Sequence, residues 1–506
     1  ARTGGARMTA VSPGLRLASP AGRRVLAATV LGSGAVFLEG TVVNVAMPAM
    51  AADLGFGLAG VQWVINGYLL TLSALMLLGG SLGDVHRHRR VFLAGLVAFA
   101  AASLAAALMP TLGTLVAVRL IQGAAGALLV PNSLAIVDRA FAEEDRGAAI
   151  GHWAGWSGVS TAAGPLLGGW LVDAASWRWV FASAAPLALA AAWIAWRRWV
   201  PEPPGAAEER RSVDYAGAAL ATAGLAGLVG GLIVGTERGF GSPPVIAALA
   251  GGGLALAAFL LLQRRRRDPL LPLGLFRSRQ FTGANLTTLC VYGALGTLFL
   301  FLALELQNVL GMSALAAGAA LLPVNALMLA LSPAAGRLAS RTGPRLPMTV
   351  GPLVAAAGIA LLAGVGESSG YWSGVLPGVV LFALGLALVV APLTAAVLGA
   401  VPDDDTGVAS AVNNAAARLA GLLTVAAVPL LAGLGGLDDL GGAAFAAGYR
   451  RVMLISAGLC ALGGLVALVT VGDRAARVAP GAHPCPPHGC VQRRPLGRSE
   501  AGRGRG

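Results

Sequence analysis

The chain has 506 residues, of which 56% are hydrophobic and only 12% are charged, and its mean hydropathy is +0.75. Soluble domains carry roughly 25% charged residues, so a chain with half that share cannot cover its apolar surface and is predicted to lie in a lipid bilayer. All 36 basic residues are arginine, which excludes a P-loop ATPase and a lysine-imine enzyme, because both need a lysine. The four cysteines are too few and too scattered for a disulfide scaffold.

Apolar runs separated by charge or by Gly and Pro follow one another along the chain. One hydrophobic helix crosses the ~30 Å bilayer core in about 20 residues, and fourteen runs of that length are present. The predicted spans are 25–47, 61–83, 91–109, 112–136, 147–172, 178–199, 215–236, 244–262, 283–305, 314–335, 347–366, 373–396, 406–433 and 450–472. The segments 1–24 and 473–506 are rich in Arg, Gly and Pro, so we expect both to be disordered.

The arginines are distributed unequally between the two sides of these spans. If successive spans cross the membrane in alternating directions, 30 arginines lie on the side of the two termini. Four lie on the other side, namely Arg178, Arg238, Arg450 and Arg451, and Arg119 and Arg418 lie within spans. Because positive loops stay in the cytoplasm, we predict a multi-pass protein of the cell membrane with both termini cytoplasmic. The net charge of +13 then lies at membrane surfaces, so no nucleic-acid partner is expected. We also expect no cleavable signal peptide, since the first apolar run is too long.

Two loops indicate an internal repeat. The segment GSLGD at 80–84, followed by Arg89, resembles GRLAS at 336–340, followed by Arg345, at a constant offset of 256 residues. Each loop follows the second helix of a six-helix half, so we predict an N-terminal half at 25–199 and a C-terminal half at 283–472. The remaining pair at 215–262 is then an insertion. Repeated halves around a midplane site are typical of secondary transporters.

Charged residues inside two spans carry a further resemblance. Span 1 contains LEGTVVNVAMP at 38–48, and span 4 contains RLIQGAAG at 119–126. A charge at a helix centre costs about 2.5–3.5 kcal/mol to insert, so Glu39 and Arg119 need a cavity, a partner or, for Glu39, a proton. Both segments are similar to motifs of the fourteen-helix drug:proton antiporter family (EmrB/QacA type) of the major facilitator superfamily, L-D-x-T-x-V-N-V-A-L-P and R-x-x-Q-G.

The resemblance implies an all-α major facilitator fold, in which Glu39 carries the proton and Arg119 modulates it. The alternatives are a helix-packing hydrogen bond for Glu39 and a structural ion pair for Arg119. Thr41, Asn44 and Gln122 are expected to line the substrate cavity. The ~100° helical step places Thr41 and Asn44 on one face of span 1 and Glu39 on another.

The loop GSLGDVHRHRR at 80–90 resembles the superfamily's G-x-L-a-D-r-x-G-r-k loop. The resemblance implies that Gly80, Asp84, Arg89 and Arg90 latch the cytoplasmic ends of the two halves. Two positions depart from the motif. Val85 replaces a basic residue, and Arg87 replaces the glycine of a tight turn.

Span 5 contains GPLLGG at 164–169, which resembles the antiporter motif g-x-x-x-G-P-x-x-G-G. Small residues permit close helix packing, and a proline bends the helix. Gly164, Pro165, Gly168 and Gly169 are therefore assigned to an exporter hinge. Ordinary glycine packing is the alternative explanation.

The C-terminal half supplies the remaining candidates for the cavity: Glu305, Asn413 and Arg418. Glu305 lies near a predicted helix end, where an interfacial position is the alternative. Arg418 is expected to balance a carboxylate or to meet an anionic part of a substrate. In the tail, His483, Cys485, His488 and Cys490 lack zinc-like spacing, so no metal is expected.

Together these features predict proton-coupled efflux of an amphipathic drug or antibiotic by a monomer. The proton gradient drives transport, and no cofactor is needed. A permease or an exporter of an endogenous metabolite or natural product with the same fold is the alternative. A membrane-embedded enzyme or sensor is disfavoured, because no nucleophile, base and orienting group occur together.

Overall fold

The computed structural model describes residues 14–197, 213–402, 405–435 and 442–473. These residues form helices that run across one bundle, which we number in chain order: α1 Pro20–Leu54, α2 Leu58–His86, α3 His88–Ala107, α4 Leu112–Ala140, α5 Glu143–Ala174, α6 Trp177–Arg197, α7 Tyr215–Arg238, α8 Pro243–Arg265, α9 Arg279–Val309, α10 Ala314–Thr342, α11 Arg345–Leu362, α12 Tyr371–Leu398, α13 Thr406–Leu431 and α14 Ala443–Thr470. Within these ranges the only strand-like pairing is an isolated bridge between Leu15 and Phe141.

Each predicted span coincides with one of these helices, so the all-α membrane fold is confirmed. Thirteen of the helices are long and apolar enough to cross a bilayer. The exception is α5, whose 32 residues are ample in length but include many Gly and Ser residues that lower its hydropathy.

The predicted disorder of 1–24 is wrong for the described part of that segment. The hydroxyl of Ser19 accepts a hydrogen bond from the backbone N–H of Gly22 at 2.9 Å, and a proline follows at the first helical position. Such a cap starts a helix, so α1 begins at Pro20. Leu15 also exchanges backbone hydrogen bonds with Ala140 and Ala142.

The same helix pairs form in the two parts of the chain. In the first part α1 packs on α5, α2 on α4, and α3 on α4. The equivalent pairs in the second part are α9 on α13, α10 on α12, and α11 on α12. We call α1–α6 the N-half and α9–α14 the C-half. This duplicated packing is the structural counterpart of the repeated loops.

Helices α7 and α8 form a hairpin that packs on α2 and α13. Its open end, where α7 begins and α8 ends, is fixed by Asp214, which is fully buried and accepts hydrogen bonds from the Gly217 backbone N–H at 2.8 Å and from Gln263 Nε2 at 2.7 Å. Arg266 pairs with the same carboxylate at 3.0 Å. The buried charge is therefore compensated, and α7 is held to the end of α8.

The two halves meet at one end of the bundle. We call the end that carries Pro20 and Thr470 the termini side and the opposite end the far side. Helix α5 packs mainly on the first segment of α10, Ala314–Ala319, and scarcely on the remainder. At Gly147, Gly151, Gly155 and Gly158 of α5, a Cβ would meet open space. The halves thus touch on the far side and diverge toward the termini side.

Candidate functional site

A buried ion pair occupies the centre of the N-half. Glu39 of α1 and Arg119 of α4 are 0% and 2% exposed, and Arg119 Nη1 donates a 2.7 Å hydrogen bond to Glu39 Oε1. Each charge supplies the partner that the other needs inside an apolar bundle. The sequence singled out both residues, and the structure brings them together.

Arg119 is held by further groups around this pair. It donates to the Val64 carbonyl at 3.1 Å and to Gln122 Oε1 at 2.7 Å. The guanidinium also lies 4.3 Å from the centroid of the Tyr68 ring, a distance at which cation–π attraction acts. Gln122 in turn donates to Ser103 at 2.8 Å. Gln122 is completely buried, so it positions Arg119 and does not face a cavity in this conformation.

The second carboxylate oxygen of Glu39 has a different environment. Oε2 is buried and has no hydrogen-bond partner among the described residues. One oxygen of the pair is thus committed to Arg119, while the other can bind a proton without displacing an existing hydrogen bond.

Thr41 and Asn44 do not join this ion pair. The Thr41 hydroxyl donates to the Thr161 carbonyl of α5 at 3.0 Å, while Asn44 is half-buried. Glu39 therefore faces α4 and Thr41 faces α5, in keeping with the helical step. Thr41 acts in the contact between α1 and α5.

Arg418 of α13 reaches from the C-half toward α1. Its guanidinium carbon lies 5.0 Å from the centroid of the Phe37 ring, and a Cβ on Gly40 would approach its Nη1 to 3.8 Å. Arg418 is half-buried, and no described carboxylate lies within ion-pair distance of it. It is thus a cation in the space between the halves, without an acidic partner among the described residues.

The two other candidates of the C-half lie inside that half. Asn413 donates to the Thr288 hydroxyl at 2.7 Å and to Asn285 at 3.2 Å, which fixes α13 against α9. Glu305 is 0% exposed, so it is neither interfacial nor open to a cavity here. It begins a π-helical turn, Glu305–Val309. Both oxygens of its carboxyl are buried and have no hydrogen-bond partner among the described residues.

The glycines of α5 lie where three helices come closest. Gly164 and Gly168 pack directly on Thr41 and Val42 of α1, and Gly169 packs on the backbone of α10 at Ala314. Pro165 presents its carbonyl to Gly318 of α10. A side chain at Gly169 would overlap the other half. The motif thus forms the contact by which the two halves meet.

Asp173 of α5 completes this contact and was not predicted from the sequence. Its carboxylate accepts hydrogen bonds from the backbone N–H groups of Ala314 at 3.2 Å and Leu315 at 2.8 Å. These are the first N–H groups of α10, where a helix favours negative charge. An acid from one half therefore caps a helix of the other. The sequence did offer one signal for this contact, because Asp173 is an acidic residue one helical turn after Gly169.

Two amides extend the contact between the halves. Gln307 donates to the Val45 carbonyl at 2.9 Å, and Gln62 donates to the Val425 carbonyl at 2.8 Å. Both bonds connect α1 or α2 with the C-half at the far side. They add to the closure made by α5 and α10.

The loop at 80–90 makes its described contacts within the N-half. Asp84 pairs with Arg139 at 2.8 Å and with His88 at 3.3 Å, and Arg89 donates to the carbonyls of Ala195 and Trp196. The expected latch between the halves is therefore not formed here by Asp84, because the halves are apart at this end. Gly80 packs near Pro131 of α4, and Arg90 is exposed.

The tight turn of the loop is kept despite the missing glycine. Arg87 has φ +71°, the one positive φ among described non-glycine residues. An L-residue is disfavoured there, so Arg87 adopts the glycine-like geometry at a conformational cost.

The predicted tail residues His483, Cys485, His488 and Cys490 lie outside the described residues.

The chain is similar to known proteins over most of its length. A model of the Major Facilitator Superfamily matches residues 29–425. The tetracenomycin C resistance and export protein of Streptomyces glaucescens is 36% identical over 80% of this chain and 75% of its own length. The puromycin resistance protein pur8 of Streptomyces alboniger is 35% identical over 79% of each chain. The multidrug resistance protein Stp of Mycobacterium tuberculosis is 31% identical over 77% of this chain and 72% of its own.

Solved structures share the architecture at low sequence identity. A transporter of the POT family has a TM-score of 0.63 at 15% identity, covering 88% of this chain and 95% of that one. The xylose transporter XylE from E. coli has a TM-score of 0.60 at 14% identity, covering 88% and 97%. The chain belongs to the major facilitator superfamily, among relatives named as antibiotic-resistance and export proteins.

Proposed function

We propose that this protein is a proton-coupled antiporter that exports amphipathic drugs or antibiotics from the cytoplasm. The observation that carries the proposal is the buried pair of Glu39 and Arg119, a titratable group with a fixed counter-charge beside the space between two movable halves. The names of the relatives support the cargo class. Transport needs no bound cofactor, and one chain contains both halves, so a monomer suffices.

The arginine distribution supports a topology for this exchange. With 30 arginines on the termini side, that side is cytoplasmic under the positive-inside rule. The conformation described above is then open to the cytoplasm and closed to the outside. Asp173 and the glycines of α5 form the outer closure. In the opposite conformation the outer contact separates and the cytoplasmic ends of the two halves approach each other. Asp84, Arg89 and Arg90 can then contact the C-half.

The ion pair couples proton binding to the change between the two conformations. While Glu39 is ionised it balances Arg119 in an apolar interior. When Glu39 is protonated at its free oxygen, Arg119 loses its counter-charge, and the packing between α1 and α4 becomes less favourable. Proton binding and release therefore change the relative energies of the two conformations, and an inward-moving proton can drive outward cargo movement.

The proposal is tested with inverted membrane vesicles, in which the cytoplasmic face is outside. Ethidium, puromycin and tetracenomycin C are offered with the lumen acidic, with and without a protonophore. We expect accumulation of at least one compound that the protonophore abolishes. Glu39→Gln should lose gradient-driven accumulation, because an amide cannot carry a proton, but should still bind the compound.

Glu143→Gln is the matched control, since Glu143 is an exposed acid on the termini side. It should transport like the natural chain. Unchanged gradient-driven accumulation in Glu39→Gln would refute the coupling role. Movement of cargo out of the lumen under the same gradient would refute export.

Export of a self-made natural product is the second candidate. The two relatives from Streptomyces described above are each named for one antibiotic, which favours a narrow cargo range. A panel of drugs separates the two candidates: one transported antibiotic indicates a dedicated exporter, and many unrelated ones indicate multidrug efflux.

A further inference from the structure

The charged residues around the space between the halves differ in their exposure and in whether an opposite charge neutralises them. Four charged residues are candidates to meet cargo: Glu39, Arg119, Glu305 and Arg418. The first two neutralise one another at 2.7 Å. Glu305 is fully enclosed in the C-half. Only Arg418 is both partly accessible and without an acidic partner among the described residues.

The position of Arg418 suits a ligand that spans both halves. It projects from α13 of the C-half, yet its guanidinium lies against Phe37 of α1, at 5.0 Å from the ring centroid. Gly40, one helical turn along α1, leaves room beside Nη1. Arg418 therefore lies at the level of Glu39, with an aromatic ring beside it.

Two tyrosines from different helices, Tyr68 of α2 and Tyr292 of α9, lie near Arg418. A phenol carries no charge at neutral pH, so neither tyrosine balances the guanidinium. The surroundings of Arg418 thus combine one fixed positive charge with aromatic surface.

We propose that Arg418 binds the cargo directly and selects amphipathic aromatic anions, such as deprotonated phenols and carboxylic acids, over cations. This inference rests on the proposed export function and specifies its substrate class. A guanidinium offers several N–H donors that match a carboxylate or a phenolate oxygen. The half-buried rings of Phe37 and Tyr292 would pack against the aromatic part of the same molecule.

A binding measurement tests the selectivity without any proton gradient. Purified protein in lipid nanodiscs is titrated with xanthene dyes of similar size, using fluorescence polarisation: the anions fluorescein, dichlorofluorescein and eosin Y, and the cation rhodamine 123. We expect at least one anion to bind more tightly than rhodamine 123. Arg418→Gln should weaken anion binding roughly tenfold or more, the usual loss for a hydrogen bond to a charged group.

Two further variants separate charge recognition from folding. Arg418→Lys should keep most of the anion preference, because it retains the positive charge. Arg450→Gln removes an exposed arginine of α14 on the far side and should bind like the natural chain. Folding of each variant is checked by its elution and thermal midpoint.

Several outcomes would overturn the proposal. These are tighter binding of rhodamine 123 than of all three anions, unchanged anion binding in Arg418→Gln, and failure of every anion to bind above empty nanodiscs. Each is distinct from failure of the proposed function, because vesicle transport of ethidium or puromycin can succeed while these dyes show no preference for anions.

Discussion

The contact of Asp173 with α10 predicts a measurable shift between the two conformations. Asp173→Ala removes both hydrogen bonds that the carboxylate accepts from Ala314 and Leu315. Truncating a helix-capping side chain costs about 0.5–2 kcal/mol. This contact exists only when the far side is closed, so the loss falls on that conformation alone. A change of about 0.5–2 kcal/mol alters the ratio of closed to open molecules by roughly 2- to 30-fold.

The assay is a distance measurement between spin labels on the far side. One label replaces Leu108 after α3, and the other replaces Ser368 before α12, both of which are exposed. The four natural cysteines are first replaced by serine or alanine. In Asp173→Ala we expect the population with the longer distance to grow by the factor given above.

Asp53→Ala is the matched control for this experiment. Asp53 is also a far-side acid, but its described bonds stay within the N-half, to Arg178 at 2.7 Å and to Trp177 Nε1 at 2.9 Å. The Asp53→Ala variant should leave the distribution of distances between the spin labels unchanged. If Asp173→Ala has no effect, or if both variants shift it equally, Asp173 does not hold the halves together.

Three further predictions follow from local geometry. Arg87→Gly should raise the thermal midpoint, because an L-residue at φ +71° is strained by about 1–3 kcal/mol, more than the roughly 0.5–1 kcal/mol that glycine costs in conformational entropy, whereas Arg90→Gly, within a helix, should lower it. Gly169→Leu should abolish vesicle transport by separating the halves, while Gly155→Ala, with open space around it, should not. Asp214→Ala should destabilise the α7–α8 hairpin by roughly 1–3 kcal/mol, since it leaves the buried Gln263 amide and the Gly217 N–H without their acceptor; protection of α7 from hydrogen exchange should fall.

The sequence alone predicts those structural elements that depend only on a local pattern of residues. Fourteen helices follow from apolar runs, because backbone groups in lipid must bond within their own segment. The pairing of Glu39 with Arg119 was accessible because two charges inside apolar spans each need a partner, and few are available. The family motifs in spans 1 and 4 then indicated that these two charged residues belong to one site.

The errors arose where contacts between distant segments decide the outcome. Asp173 and Ala314 are 141 positions apart, and no local pattern reveals that an acid at the end of α5 caps α10. For Glu305, assigned to the cavity with an interfacial position as the alternative, local sequence does not reveal that the side chain is fully buried although a π-helical turn ends α9 at Val309. The start of α1 was missed because a Ser-Pro cap outweighed the arginines that follow it.

The two proposals together fix how transport should respond to membrane potential. If one proton enters while one monoanion leaves, each cycle moves two charges in the favourable direction, worth roughly 4.6 kcal/mol per 100 mV; a monocation exchanged for one proton moves none. In inverted vesicles with a valinomycin-imposed, lumen-positive potassium potential and no pH difference, fluorescein uptake should therefore rise, and Arg418→Gln should weaken it. Uptake of anion that ignores the potential would refute one-for-one exchange of proton and anion, because no electroneutral cycle can be assembled from those two movements.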